Sequence, residues 1–540
     1  MTPLKETFRN FPRPALLALL GLTLAGCSIT PDPISRDLAR ERAQAKLVEM
    51  FSEQDLVSAP LSLHDAIARS IKFNLGSRVY MMEKALAHDQ LDAAEHNLLP
   101  SLAASAGYSH RSNDALSTSE ATSTGVESVD PSLSSERNRF LSDMRLAWNV
   151  LDFGVSYYSA KQQADQIFIV EEQRRKALQN LMEEVRTAYW RAWNAQRLLP
   201  RVDGLLAEVY PALKRSREME KKQSQSPDKA LEFQQGLLQT LQQLLSLRRD
   251  QMLARQELAS LMNLRPGVAF KLEPGQADPL PLPEDDLEMM KLEVMALTLR
   301  PEMRENQYQE RIDGFEIRKT LLRLLPGIEL SLAGNYDSNK FQVNQSWADA
   351  GVNIAWNVLS LLSGPTMLQM AENQKELNEM RGLVTAMAVV TQLHLAERSS
   401  RLLEEEYQVA RDLYQVHQRR AKHAQAAAKA GKTHPMAEIQ RKMENISAQM
   451  KTGAVYAEFQ GSVGRLYHSL GIDPLPLEIA GNDLQTLTAA VQQRQGELPD
   501  LLRSFPLQEE GGEINLEPAE SGMTAEEDGT MAEKEDSEVK

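Results

Sequence analysis

The sequence predicts a mainly α-helical protein with a membrane β-barrel portion, built from two copies of one helix–hairpin–long helix–helix unit. Three observations lead to this prediction. The pentapeptide AWNVL occurs twice, only 6% of the 540 residues are aromatic, and long stretches repeat apolar residues at helical spacing. Leu, Ala, Gln, Glu, Lys and Arg dominate the composition, which favours long helices over a compact mixed fold.

The repeated pentapeptide indicates an internal duplication. Its two occurrences, Ala147–Leu151 and Ala355–Leu359, lie 208 residues apart, and the same offset relates Pro227 to Pro435. This register holds over about 120 residues without a slip. The chain is therefore interpreted as two copies of one structural unit.

A second short motif extends the duplication upstream, at a larger offset. Leu-Leu-Pro precedes an alternating stretch in both copies and relates Pro100 to Pro326. The sequence distance from Pro100 to Trp148 exceeds that from Pro326 to Trp356, so the first copy carries the longer loop, a polar stretch without apolar periodicity. The predicted organisation is a signal peptide (1–26), an acylated N-terminal periplasmic segment (27–60), a first repeat (61–270), a second repeat (285–476) and a C-terminal segment with an acidic tail (477–540).

The N-terminus has the features of a secretory signal. Lys5, Arg9 and Arg13 precede a short apolar run that ends in Leu24-Ala25-Gly26-Cys27, and this run is too short to span a membrane. The Leu-Ala-Gly-Cys ending resembles a bacterial lipobox, which implies cleavage before Cys27 and lipid attachment to its thiol. The alternative is an ordinary signal peptide with a chance cysteine. Ser28 stands where an Asp would resemble an inner-membrane retention signal, so the outer membrane is the predicted destination.

Each copy is expected to begin with a helical segment, roughly 62–98 and 286–325, that leads into two strands. No later segment reaches the 18 apolar residues of a membrane-spanning helix, so any further spanning part must be a closed β-barrel. The strand segments alternate apolar with small or polar residues over nearly the length a membrane strand needs. The alternative is a soluble, half-buried hairpin. The predicted membrane-interface aromatic residues are Tyr108, Trp148, Tyr336 and Trp356.

Two long helices are predicted to follow the hairpins, over about 155–222 and 366–430. Between Ile167 and Leu213, apolar residues recur in steps of three and four, and many of them are Ala. This pattern is typical of coiled-coil-like packing on two neighbours. Each helix would be roughly 100 Å long. Pro200 and Pro211 predict kinks in the first copy only.

These features together resemble the TolC outer-membrane efflux family, in particular its lipoprotein branch. The resemblance covers about residues 60–476 and includes the segment LRPEM (Leu299–Met303). It implies a homotrimer in which each chain adds four strands to a shared β-barrel and its helices to a trimeric α-barrel tunnel. It also implies a passive exit duct of a tripartite efflux pump or type I secretion system, with a periplasmic adaptor protein and an inner-membrane transporter as partners.

The turns at the far ends of the long helices are the predicted periplasmic gate and docking site for a partner. Paired aspartates narrow the tunnel in the best-known members, but Ala437 and Gln440 occupy those positions here. The candidate gate residues are instead charged side chains on the helices that leave the turns: Asp228, Glu232, Glu438, Arg441 and Lys442.

The remaining patterns favour no catalytic or nucleic-acid-binding function. Of the net charge of −15, a net −10 lies from Glu509 onward, in an acidic tail predicted to be disordered. The tripeptide Asp152–Gly154 (DFG) lacks the other kinase motifs, and His417, His423 and His434 lack the supporting ligands of a metal site. No cofactor is expected. The alternative to a duct is a lipid-anchored coiled-coil tether without a pore.

Overall fold

The computed structural model describes residues 32–52, 54–55, 57, 59–221, 227–273, 280, 288–432, 435–473, 475–476 and 481–506. The predicted signal segment, Cys27 and the acidic tail lie outside the described residues. Within the described part of the chain, no helix is both long enough and apolar enough to cross a bilayer.

Helices make up most of the described chain. In order they are α1 Arg36–Phe51, α2 Leu63–Phe73, α3 Leu75–His96, α4 Val150–Lys221, α5 Pro227–Leu261, α6 Met289–Leu299, α7 Pro301–Arg323, α8 Ser360–Lys429, α9 Pro435–Ser469 and α10 Leu484–Ser504. The strands are β1 Ser101–His110, β2 Leu116–Ser117, β3 Glu120–Ala121, β4 Val126–Glu127, β5 Ser132–Leu133, β6 Asn138–Asn149, β7 Gly327–Asp337 and β8 Ser346–Ala355.

The element boundaries follow the two sequence offsets. The units α2–α3–β1 and α6–α7–β7 begin at Leu63 and Met289, which the offset between Pro100 and Pro326 makes equivalent. The helices α4 and α8 end at Lys221 and Lys429, which the offset of the repeated pentapeptide makes equivalent. Each predicted upstream helical segment consists of two helices rather than one. The breaks fall at Asn74 and Arg300, which both have extended backbone.

Two local expectations were wrong. The first long helix was expected to start near 155, but α4 begins at Val150, directly after β6. The Asn149 side-chain oxygen accepts hydrogen bonds from the amides of Leu151 (3.0 Å) and Asp152 (3.3 Å), which satisfies the first helical turn without a connecting loop. The long loop of the first copy also has structure, because β2 pairs with β5 and β3 with β4. Pro200 and Pro211 lie inside α4, which continues as a helix through both, and the kinks expected there stay a prediction.

The four long strands form one antiparallel sheet in the order β1-β6-β7-β8. Pairing of β6 with β7 joins the two copies, since Leu146 lies opposite Leu332. The outer strands β1 and β8 each have one unpaired edge in this open sheet. The closed barrel expected from the sequence is therefore not seen in the single chain.

The helices pack beside one another with α4 in the middle. It contacts α3 and α5 from its own copy, and α7 and α9 from the other, whereas α8 contacts α7 and α9. Ala188, Ala192 and Ala195 of α4 are fully buried, so the predicted Ala-rich stripe does allow close approach of two neighbours. Towards the C-terminal end of α4, the helices α4, α5 and α9 share an apolar cluster that contains Val209, Leu237 and Met443.

Candidate channel wall and periplasmic tip

One face of the four-stranded sheet, here called the apolar face, carries apolar side chains on every strand. Leu146 lies between Leu102 and Leu332, and Leu330 lies opposite Val352. These side chains are 39–69% exposed in the single chain. A broad, exposed apolar face with period-two alternation is typical of lipid-facing strands. The predicted alternation is confirmed.

The four predicted interface aromatic residues lie at the two ends of the apolar face. Tyr108 and Tyr336 lie at the loop end, where Phe140 sits opposite Tyr108 and 6.4 Å from the Tyr336 ring centre. Trp148 and Trp356 lie at the end from which the long helices leave. The stretch from Phe140 to Trp148 spans about 27 Å along the strand, or about 20 Å of height at the usual tilt. That height is close to the apolar band of a membrane barrel.

The opposite face, here called the polar face, is lined with paired charges and amides. Arg145 contacts Glu329 at 2.8 Å, and the Asn335 amide donates to Asp349 at 2.6 Å. Further pairs join Arg139 to Asp337 and the Ser105 hydroxyl to Asp143. A wall with one apolar and one hydrogen-bonding face can separate hydrocarbon from water.

Two exposed apolar stripes run along helices at the edges of the chain. The α5 stripe consists of Leu231, Leu238, Leu245 and Met252, and the α8 stripe consists of Leu395, Leu402, Val409 and Val416. Both repeat every seven residues, which is the spacing of a coiled-coil seam. Each stripe lacks a covering helix within the described chain, so these edges are suited to pack against another chain.

Lys442 is the most connected of the predicted gate residues. Its ammonium group contacts Glu208 on α4 at 2.8 Å and Glu438 on its own helix at 3.0 Å. Partial burial alone would lower the pKa of Lys442, but the hydrogen bonds to Glu208 and Glu438 outweigh this effect and raise the pKa. Lys442 therefore stays charged at neutral pH and connects α9 of the second copy to α4 of the first.

The other predicted gate residues differ in their surroundings. Arg441 contacts Glu444 at 2.7 Å, and the same carboxylate lies 3.5 Å from Arg420 on α8. Asp228 and Glu232 are exposed on α5, and the turns at 222–226 and 433–434 lie outside the described residues. Glu208 and Glu444 were not predicted, because Glu208 is 234 residues from Lys442 and Glu444 belongs to no distinguishing motif. Gating by these residues stays a prediction.

Comparison with known proteins identifies the architecture. No protein-family model and no curated protein sequence matches the chain. The solved CmeC outer-membrane channel of Campylobacter jejuni superposes with a TM-score of 0.62 at 13% identity, covering 87% of this chain and 97% of CmeC. The open-state MtrE outer-membrane channel of Neisseria gonorrhoeae gives 0.58 at 16% identity, covering 76% and 88%. The outer-membrane protein VceC of Vibrio cholerae gives 0.56 at 12% identity, covering 76% and 96%.

At these identities the likeness concerns the fold. It extends over nearly the whole length of each of these proteins. The chain therefore has the fold of the TolC-like outer-membrane channels.

Proposed function

We propose that this protein is the outer-membrane exit duct of a tripartite efflux pump or type I secretion system. Three copies form a passive channel that crosses the outer membrane and extends into the periplasm, with Cys27 as the lipid anchor. A periplasmic adaptor protein and an inner-membrane transporter are the expected partners, because a duct of this kind has no energy source of its own. The observation that supports this most directly is that the chain has two uncovered edges, both in its sheet and among its helices.

The sheet provides the first pair of open edges. Four strands alone leave unpaired amides and carbonyls on β1 and β8, which hydrocarbon does not tolerate. Head-to-tail association removes both edges once the ring closes. Three chains of four strands give twelve strands, which lies within the range of membrane barrels.

The duplication predicts how neighbouring chains meet. Within one chain, α4 of the first copy contacts α7 and α9 of the second. The equivalent helix α8 should then contact α3 and α5 of the next chain. A contact between residue n of α4 and residue m of α9 predicts a contact between n + 208 on α8 and m − 208 on the next chain's α5.

This relation predicts that the α8 stripe contacts the α5 stripe of the next chain. Asn194 of α4 lies directly against Gly453 of α9, and the equivalent pair is Leu402 and Leu245. Both are exposed in the single chain and belong to the α8 and α5 stripes. Burying a leucine side chain contributes about 1.5–3 kcal/mol, so a continuous stripe provides a strong reason to associate.

Cross-linking tests this arrangement. With Cys27 replaced by Ser, we expect the pair Leu245→Cys and Leu402→Cys to give disulfide-linked trimers. The pair Leu238→Cys and Leu402→Cys is the matched control, because it is offset by two helical turns, or about 10 Å along the helix. Equal cross-linking of both pairs, or of neither, would contradict the proposed contact between chains.

Channel activity is tested separately on the purified full chain. We expect a particle of three mature chains that conducts ions across a planar bilayer once open. A monodisperse monomer without conductance at any voltage would instead favour the lipid-anchored tether.

A further inference from the structure

Two cations and three aromatic rings meet just below the sheet, between α4 and α7. The Lys161 ammonium lies 4.8 Å from the Tyr157 ring centre and 5.6 Å from that of Phe315. The Arg318 guanidinium lies 5.8 Å from Tyr158 and 5.9 Å from Phe315. Among the residues that the structure describes, neither cation has a carboxylate partner. We call these five side chains the aromatic–cation seam.

The seam lies on the lipid-facing side of the chain. Phe153, one helical turn before Tyr157, packs edge-on against Trp148 at 5.7 Å, and Trp148 belongs to the apolar face of the sheet. Phe153, Tyr157 and Lys161 follow one another at four-residue spacing, so they form one stripe along α4. The stripe therefore continues the outer surface downward from the interface tryptophan.

The depth of the seam matches the lipid headgroups. Lys161 lies three helical turns after Val150, which places its backbone about 16 Å below the start of α4. The headgroup layer is roughly 5–8 Å thick on each side of the hydrocarbon. A lysine or arginine side chain can extend by several ångströms to place its charge at the interface. The Lys161 ammonium lies beside the Tyr157 ring, one helical turn above its own backbone, and Arg318 lies beside the same Phe315 ring. Both charges are therefore about 11 Å below the start of α4, within a few ångströms of the headgroup layer.

The duplication provides an internal comparison. The offset of the repeated pentapeptide makes Pro365 and Gln369 on α8 equivalent to Tyr157 and Lys161. The upstream offset makes Asp92 and Asp89 on α3 equivalent to Arg318 and Phe315. These equivalent positions, which would meet only between neighbouring chains, thus have neither a cation nor an aromatic ring, and carboxylates replace Phe315 and Arg318. The cations and rings of the aromatic–cation seam are therefore not a requirement of the packing that the two copies share.

We propose that the aromatic–cation seam binds the headgroup phosphate of an anionic phospholipid in the periplasmic leaflet of the outer membrane. The phosphate lies between Lys161 and Arg318, and the acyl chains run upward along Phe153 and Trp148. Each chain holds one such lipid beside the first copy's helix. The proposal rests on the proposed function, because that function places the sheet in the membrane.

Native mass spectrometry of the full-length protein, released from nanodiscs of equimolar phosphatidylglycerol and phosphatidylethanolamine, tests the proposal. A basic residue near an anionic membrane surface favours binding by about fivefold. We expect the wild type to retain phosphatidylglycerol over phosphatidylethanolamine by at least about that factor, with up to one phosphatidylglycerol per chain. The double variant Lys161→Gln with Arg318→Gln should retain the two lipids equally.

Two further variants test whether a loss of lipid selectivity comes from this site rather than from a change in total charge or in folding. Lys375→Gln with Arg381→Gln removes the same charge from α8, further from the membrane, and should behave as wild type. The exchange Lys161→Arg with Arg318→Lys keeps both cations and should preserve the selectivity. Equal retention in the wild type, or unchanged selectivity in the Lys161/Arg318 double variant, would overturn the proposal.

The same preparations test two alternatives, namely that the seam binds a soluble anion and that the protein is not a membrane channel. Displacement of phosphatidylglycerol by inorganic phosphate would assign the seam to a soluble phosphate and overturn the lipid assignment. Conductance in planar bilayers is measured in parallel. Selective lipid retention without conductance would refute the duct and keep the lipid site, whereas conductance without selectivity would refute only the lipid site.

Discussion

Replacing Arg186 by methionine is expected to stabilise the contact between α4 and α9. Arg186 is 3% exposed, and its Nη1 atom has no hydrogen-bond partner among the described residues. Across the interface it faces Tyr456 and Tyr467, and burial raises the pKa of each phenol to about 12. Both tyrosines are therefore neutral at pH 7 and do not compensate the guanidinium charge.

The size of the effect follows from the cost of burying this charge. Burial lowers the pKa of Arg186 to about 10. Since one pH unit corresponds to about 1.4 kcal/mol, the buried charge destabilises the fold by about 3 kcal/mol. Methionine keeps the apolar part of the side chain and removes the charge, but the cavity that it leaves costs about 1 kcal/mol. We expect a net gain of about 1–2 kcal/mol in the free energy of unfolding.

The pH dependence of this gain has a definite sign. The folded state releases the Arg186 proton near pH 10, whereas the unfolded state keeps it to a higher pH. The penalty is therefore constant below about pH 10 and decreases above it. The stabilisation by Arg186→Met should be the same from about pH 6 to pH 9 and should decrease in more alkaline solution.

Urea unfolding of the purified full-length protein, followed by circular dichroism, measures the change in the free energy of unfolding. Arg465→Met is the matched control, because Arg465 lies on α9 and forms an exposed pair with Glu183 of α4 at 3.1 Å. Loss of this ion pair should lower the free energy of unfolding by about 0–1 kcal/mol. If Arg186→Met destabilised the protein by more than the control, the guanidinium would be a net stabilising group and the reasoning would be wrong.

Three further predictions concern packing, gating and anchorage. Gly453→Ala should destabilise the protein by about 1–3 kcal/mol in the same assay, because a Cβ atom there would meet a side chain of α4; Gly496→Ala, in open space on α10, is its control, and equal effects would contradict the packing argument. Lys442→Gln should raise the conductance of the closed channel by removing the link to Glu208, with less than about 1 kcal/mol lost in stability. Because the pKa of Lys442 is raised, this link holds at neutral pH and is lost only above the ordinary lysine pKa; unchanged conductance would place the gate elsewhere. Cys27→Ser should abolish metabolic labelling with a fatty acid, and equal labelling of variant and wild type would end the lipoprotein interpretation.

Local patterns made much of the fold predictable. Period-two alternation identified the two faces of the sheet, and the repeated prolines, Pro227 and Pro435, are the first residues of α5 and α9. Both signals depend on residues within a few positions of one another. The breaks at Asn74 and Arg300 were missed because apolar spacing continues on both sides of them, and only the extended backbone at those residues separates the helices.

Long-range contacts could not be predicted in the same way. Glu208 and Lys442 are 234 residues apart, and no feature of either local sequence indicates that they pair. The buried charge of Arg186 was equally hidden, since Arg186 lies outside the apolar series of α4 and its local sequence does not indicate burial. The periodicities of α4 and α8 are also similar, so the sequence did not indicate that α4 is central and α8 lies at an edge.

The equivalent helices α4 and α8 lie in different places, α4 in the middle of the chain and α8 at an edge. The side chains at their equivalent contacts differ accordingly. Inside the chain, the contact between α4 and α9 includes Gly453 against Asn194 and the buried Arg186, whose Nη1 atom has no hydrogen-bond partner among the described residues. In the proposed contact between chains, the positions equivalent to the first of these pairs are two leucines, Leu245 and Leu402. Apolar pairs of this kind favour a permanent contact, whereas a close approach at glycine beside an uncompensated charge has a smaller net stability. Any opening of the proposed tunnel is therefore expected to be easier between α4 and α9 within each chain than between chains, and Arg186→Met should oppose it.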